Sequence, residues 1–148
     1  MKRISEICEK YNVALCYLFG SRQKEGAALL EGRQVEMADP EADIDFAVLF
    51  KALPENTLDT YALLSMDLQD IVAPFRADLL FLHEVDHLIQ LEAIKGVAVY
   101  GSDEECREEY EQGVMKFAAD EREFFRRNEQ DMLEAIKDGY FEFEYKAH

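Results

Sequence analysis

Asp43-Ile44-Asp45-Phe46-Ala47-Val48-Leu49-Phe50 is the stretch on which the reading of this chain turns. Its length and its apolar, aromatic and branched content favour a buried β-strand. Strand side chains alternate between faces, so Asp43 and Asp45 point one way and Ile44, Phe46, Val48 and Phe50 fill the other. Two carboxylates so placed sit about 7 Å apart or less at Cβ. Repulsion and desolvation make the arrangement unfavourable unless a cation or hydrogen-bond donors lie between them. An isolated Asp-x-Asp at a strand end is nevertheless ordinary, so its neighbours must decide what it means.

Upstream, Val13-Ala14-Leu15-Cys16-Tyr17-Leu18-Phe19 is a continuous apolar run that ends at Gly20. It reads as a second buried strand, and Gly20 lets backbone approach a ligand closely. Ser21 is expected to cap a short helix beginning near Arg22, whose first amides and dipole make a phosphate site. Arg22 and Lys24 add positive charge in the same turn. Downstream, Asp78 is a lone acid near the start of the apolar strand Ala77–Leu82. If that strand neighbours the first, Asp43, Asp45 and Asp78 form an all-oxygen cluster suited to one or two Mg²⁺ ions. Such ions hold a nucleoside triphosphate and stabilise in-line phosphoryl displacement.

The remaining chain alternates in the same way. Ile4, Ile7, Cys8 and Tyr11 recur at helical spacing, and Asn12 is a stop signal. Residues 31–42 show no sustained period and contain Gly32 and Pro40, which predicts a surface loop. Leu58, Tyr61, Ala62, Ser65, Leu68 and Val72 predict a helix ending before Pro74. A short helix around Leu88–Lys95 and a strand Val97–Tyr100 follow. Ser102, with Glu105 three residues on, marks the start of a long helix running to Gly139. At 1.5 Å per residue that helix spans roughly 50 Å, more than a domain this size can cover. The fold class is therefore α/β (α+β), a mixed sheet flanked by helices, with a long C-terminal helix. The expected division is a core of residues 1–102 and a helical extension, 103–148, that packs on the core or on a partner.

Bulk properties narrow the function. The chain has 148 residues, enough for one domain with a real core. Its net charge of −16 is shared evenly: residues 1–102 carry 17 acids against 9 bases, and residues 103–148 carry 15 against 7. Such a chain repels a phosphate backbone, so long nucleic acids are excluded as stable partners, whereas a nucleotide held through a divalent cation is not. No signal-peptide core and no apolar run of about 20 residues is present, so a cytoplasmic protein without a membrane segment is expected. Cys8, Cys16 and Cys106 are widely spaced and form no CxxC pair, which predicts reduced thiols.

Leu18-Phe19-Gly20-Ser21-Arg22, then Asp43-Ile44-Asp45, then Ala77-Asp78-Leu79 resembles the DNA polymerase β-like nucleotidyltransferase superfamily, and most nearly its branch of minimal nucleotidyltransferases. Leu91–Tyr100 is similar to the close of the core in that branch. The likeness covers residues 13–101 well and the tail loosely. It implies that Gly20, Ser21, Arg22 and Lys24 bind nucleotide, that Asp43 and Asp45 hold metal, and that Asp78 activates an acceptor hydroxyl or shares a metal. It also implies Mg²⁺ as cofactor, ATP or another NTP as donor, and a role as antitoxin to a HEPN-type toxin, with AMP moved onto a tyrosine of that partner. Two departures stand out. Between Ser21 and Asp43 lie 21 residues, a loop insertion at about 27–42 relative to small members, and Glu25 stands where those members have a glycine, with Gly26 following.

Competing readings are weaker. His83-Glu84-Val85-Asp86-His87 matches the H-E-x-x-H zinc-protease pattern, but that motif needs both histidines on one established helix, and His83 directly follows a strand. Tyr110, Phe117, Phe124, Phe125, Tyr140, Phe141 and Phe143 form an aromatic stripe that suits core packing and a partner or homo-oligomer interface equally. The function expected is metal-dependent transfer of NMP onto a hydroxyl. The alternative, from another class, is a catalytically silent acidic module that neutralises a partner by occlusion.

Overall fold

Seven residues without a charge or a helix breaker, Val13–Phe19, form β1, and Val13 through Leu18 are all buried. The computed structural model describes residues 3–36, 39, 41–101 and 103–137, apart from the side chains of Phe125, Ala135, Ile136 and Lys137. On one side β1 pairs antiparallel with β2 (Asp43–Phe50), and on the other with β4 (Val97–Gly101). β3 (Arg76–Phe81) lies parallel to β2, which gives a four-stranded mixed sheet in the order β3-β2-β1-β4. A parallel neighbour requires a crossover, and the chain makes it with α3 (Thr57–Val72).

Both faces of the sheet are covered. On one, α1 (Ile4–Lys10), α2 (Gln23–Leu30) and α3 bury Ile7, Cys8, Leu29, Leu64 and Leu68 against Leu18, Ile44, Phe46, Val48 and Phe81. On the other, α4 (His87–Ile94) and α5 (Glu104–Lys137) bury Ala93, Ile94 and Val114 against Leu15, Tyr17 and Ala47. This explains why β1 is apolar without alternation whereas β2 begins with alternating acids: only the β2 start emerges from beneath the second pair of helices. Tyr110 Oη donates to Gln90 Oε1 at 2.7 Å, and Gln90 Nε2 donates to the Val85 carbonyl at 2.9 Å, so α5, α4 and the turn before α4 are tied by a polar chain.

Local signals account for most boundaries. Asn12 takes the left-handed conformation, φ 59°, that ends α1 and starts β1. Asn56 caps α3 by accepting from Asp59 N at 3.0 Å, and Asp86 caps α4 by accepting from Ile89 N at 2.9 Å. Other expectations shift. β3 starts at Arg76, and Leu82 leaves the strand for a 3-10 turn, Leu82–Glu84. Ser21 does not cap α2: the chain bends at Gly20, turns through Ser21 and enters the helix at Gln23, with Arg22 in the cap position and no side-chain cap bond. α2 continues to Leu30, so the first four residues of the 27–42 insertion are helical; Met37, Ala38 and Pro40 lie outside the described residues. Ser102 and residues 138–148 lie outside them too, and it is Asp103 that accepts from Glu105 N, at 3.0 Å, at the start of α5.

Gly26 has a packing reason to be where it is. A Cβ there would stand 2.9 Å from Ile44 Cγ2 and 3.2 Å from both Leu18 methyls. The small residue lets α2 lie directly on β1 and β2, and so holds the bend at Gly20 against the start of β2. Gly26→Val is expected to destabilise the protein by about 1–3 kcal/mol, the usual cost of overpacking. Urea unfolding of the two proteins measures it; equal midpoints would refute the contact.

Candidate active site

The start of β2, the start of β3 and the end of β1 come together at one end of the sheet. Register places Asp43 opposite Arg76 and Asp45 opposite Asp78 across the parallel pair, and Asp45 opposite Phe19 across the antiparallel one. Residues in register share a face, so Asp45 and Asp78 lie side by side, with Asp43 two positions back on the same face. It is the face that carries Ala47 and Leu80 into the α4 and α5 side of the core. Asp43 and Asp45 are half-buried and Asp78 is exposed.

Two devices place these acids. Gln69, on α3, accepts from Ala77 N at 2.9 Å and donates through Nε2 to the Phe75 carbonyl, which pins the first residues of β3 to the helix. Gly20, φ 78°, is the second: a Cβ there would collide with Asp45 Oδ2. Only glycine takes that backbone without strain and leaves room for the carboxylate. Ser21 is exposed just beyond it, Arg22 is half-buried, and Lys24 is exposed in the first turn of α2.

The electrostatics are those of a site short of positive charge. Asp45 is held above the usual carboxylate range by burial first, then by Asp78, then by Asp43. Asp43 Oδ1 is buried and, among the described residues, has no hydrogen-bond partner. Arg76 Nε approaches it to 3.6 Å, beyond hydrogen-bond distance. No local pattern marks Arg76; its position beside Asp43 follows from the register of β3 on β2.

An all-oxygen donor set, a buried carboxylate oxygen without a donor, and mutual repulsion all fit a hard divalent cation. As the side chains stand, no three His, Cys, Asp or Glu residues among those described converge on a single metal position.

The other sequence candidates are resolved by placement. His83 and Glu84 sit in the 3-10 turn and His87 opens α4, so the H-E-x-x-H residues are not on one helix. His83 stacks on Phe81 at 5.7 Å between ring centres, and His87 Nδ1 lies 2.6 Å from Glu121 Oε1 and stacks on Phe117. Of the aromatic stripe, Tyr110 packs on the core, Phe117 and Phe124 are exposed, and Phe125, Tyr140, Phe141 and Phe143 fall outside the described side chains. A cavity of about 400 Å³ between α2, residues 32–36 and residues 73–75, lined by Leu29, Val35, Ile71, Pro74 and Phe75, includes none of the three acids. Cys8 and Cys16 are buried, Cys106 is half-buried, and all three are free thiols. No helix among the described residues is long and apolar enough to cross a membrane.

Comparison with known proteins bears on the same region. The family described as "Polymerase beta, Nucleotidyltransferase" matches residues 2–105. No curated protein matches. Among solved structures, a chain of a mutant MntA–HpeT toxin–antitoxin pair superposes with a TM-score of 0.60 at 16% identity, covering 90% of this chain and 95% of that one. A chain from a tri-AMPylated Shewanella oneidensis HEPN toxin in complex with its MNT antitoxin gives 0.57 at 16%, with 90% and 92% covered. A chain from a toxin–antitoxin with AMP-PNP gives 0.51 at 20%, with 91% and 94% covered. At these identities the likeness establishes the fold.

Because Asp45 is held above its unfolded value, ionising it costs the fold. That cost is absent below the unfolded carboxylate pKa and fully present above the raised folded one. Asp45→Asn is therefore expected to raise the melting temperature of the cation-free protein at pH 7, with the gain shrinking as pH falls through the interval between those two values. Melting curves from pH 3.5 to 7 check this; a gain that does not depend on pH would contradict it.

Proposed function

The chain belongs to the polymerase beta nucleotidyltransferase family, and from that premise we propose that it moves NMP, AMP from ATP, onto a hydroxyl. The acceptor in this reading is a tyrosine of a HEPN-type protein partner, which the transfer neutralises. The observation that carries the reading is the position of Asp45, beside Asp78 on the adjacent strand and directly beneath the Gly20 bend. That geometry, a carboxylate cluster against the Gly20 bend, supports the reading.

In this reading Ser21 and the amides entering α2 bind the triphosphate, helped by the helix dipole and by Arg22 and Lys24. Asp43 and Asp45 would hold Mg²⁺, and Asp78 would take the proton of the acceptor hydroxyl or share the metal. When bound, Mg²⁺ would supply charge neutralisation of the phosphate oxygens. The acceptor oxygen bonds to the α-phosphorus, the bond from that phosphorus to the bridging oxygen of the β-phosphate breaks, and pyrophosphate departs. The antitoxin role is supported by the toxin–antitoxin complexes of the same fold and by α5, which presents Met115, Phe117, Phe124, Met132 and Leu133 to solvent among acids.

That same helix favours a second reading, neutralisation by occlusion alone, because an acidic face with exposed apolar side chains binds a basic partner without chemistry. One experiment separates the two. Asp43→Asn and Asp45→Asn are expected to lower ATP-dependent labelling of a co-expressed HEPN-type partner by about 100-fold or more, a loss on the scale of removing one transition-state contact, with folding retained. Full labelling by either variant would end the catalytic reading. Unimpaired neutralisation by both variants, with loss on charge reversal of α5, would establish occlusion.

A further inference from the structure

Arg76 stands at the opening of β3 directly opposite Asp43, and its Nε lies 3.6 Å from the carboxylate oxygen that has no hydrogen-bond donor. The contact is loose: at 3.6 Å no hydrogen bond forms, and the arginine side chain is 75% exposed and the aspartate side chain 40%. Ion pairs of this kind contribute little to stability, so nothing holds the guanidinium there against a stronger ligand for Asp43. Yet the surrounding charge needs it. Three acids share this face, and the described structure turns only one guanidinium contact toward them.

We infer that Arg76 is an exchangeable counter-ion of the acid cluster: it occupies Asp43 while the site is free of metal, and gives way to the divalent cation to grip the phosphates of the nucleotide that comes with it. This rests on the reading of the acids as a metal–nucleotide site. The chemistry follows from the side chain. A guanidinium is a planar fork of donors that never deprotonates, and once released from a carboxylate it suits phosphate oxygens better still. Arg76 is exposed on the edge strand of the sheet, so it changes partner without moving the backbone. Arg76 is thus a positioning residue in the metal-free state and a phosphate-binding one afterwards.

The two roles predict effects of opposite sign, which a merely structural arginine does not produce. Mn²⁺ alone, and then Mn²⁺ with AMP-PNP, is titrated by calorimetry into wild type, Arg76→Gln, Arg76→Lys and Asp45→Asn, each first checked for folding by circular dichroism and melting. With Mn²⁺ alone, Arg76→Gln is expected to bind about twofold to fivefold tighter than wild type, the scale of a lost exposed ion pair. With AMP-PNP present it is expected to bind the nucleotide about tenfold more weakly, and Arg76→Lys to lie between. Mn²⁺ binding that depends on Asp45 but is unchanged by Arg76→Gln would overturn the role of Arg76 and leave the metal site intact. So would two affinities that fall together. No saturable Mn²⁺ binding by wild type, with or without AMP-PNP, would overturn the metal site and the inference with it.

Discussion

Partial burial of carboxylates set beside one another on adjoining strands is the constraint around which this molecule is arranged. Asp45 is partly withdrawn from water and sits between Asp43 on its own strand and Asp78 in register on the next, so burial first and these two charges second hold it above the usual carboxylate range. A stable protein does not keep such a cluster without returns elsewhere. Here the returns lie in the apolar remainder of the same strands: Ile44, Phe46 and Val48 on β2, and Leu79 and Phe81 on β3, are all buried. The acids occupy the starts of these strands, where burial is less complete than further along.

The helices that cover the sheet also shape its open end. α2 lies close because Gly26 has no side chain, and the bend at Gly20 is thereby held over Asp45. α3 returns the chain so that β3 runs parallel to β2, and Gln69 fastens the first residues of β3 in place. In this way Asp78 and Arg76 arrive beside Asp45 and Asp43. The proposed chemistry and the counter-ion role of Arg76 both depend on that one register.

α5 plays a different part. Its first turns join the core through Tyr110, Val114 and Ala118, and the Gln90 bridge ties it to α4. Further along, Met132 and Leu133 are more than half exposed, and Arg126 and Arg127 pair with Glu123 on the helix itself rather than with the core. A helix of 34 residues is about 51 Å long, so only its N-terminal part can rest on a four-stranded sheet. The remainder is a surface with apolar and acidic character, which is why a protein partner belongs in the proposed function.

Much of this was written in local pattern. The continuous apolar run of Val13–Phe19, the alternation in Asp43–Phe50, and the mixed sheet with a long last helix follow from side-chain size, polarity and backbone preference, which act over a few residues. Legible too was the set of three acids with a Gly-Ser turn, because isolated charges on apolar strands are conspicuous. What only tertiary structure decided is who stands beside whom. That Asp45 faces Asp78, that Gly20 leaves space for the Asp45 carboxylate, and that Arg76 rather than Arg22 or Lys24 approaches Asp43 all depend on strand register, which couples residues far apart in the chain. The true start of α2 escaped local reading for a similar reason: a serine after a glycine looks like a cap until packing shows where the helix must begin.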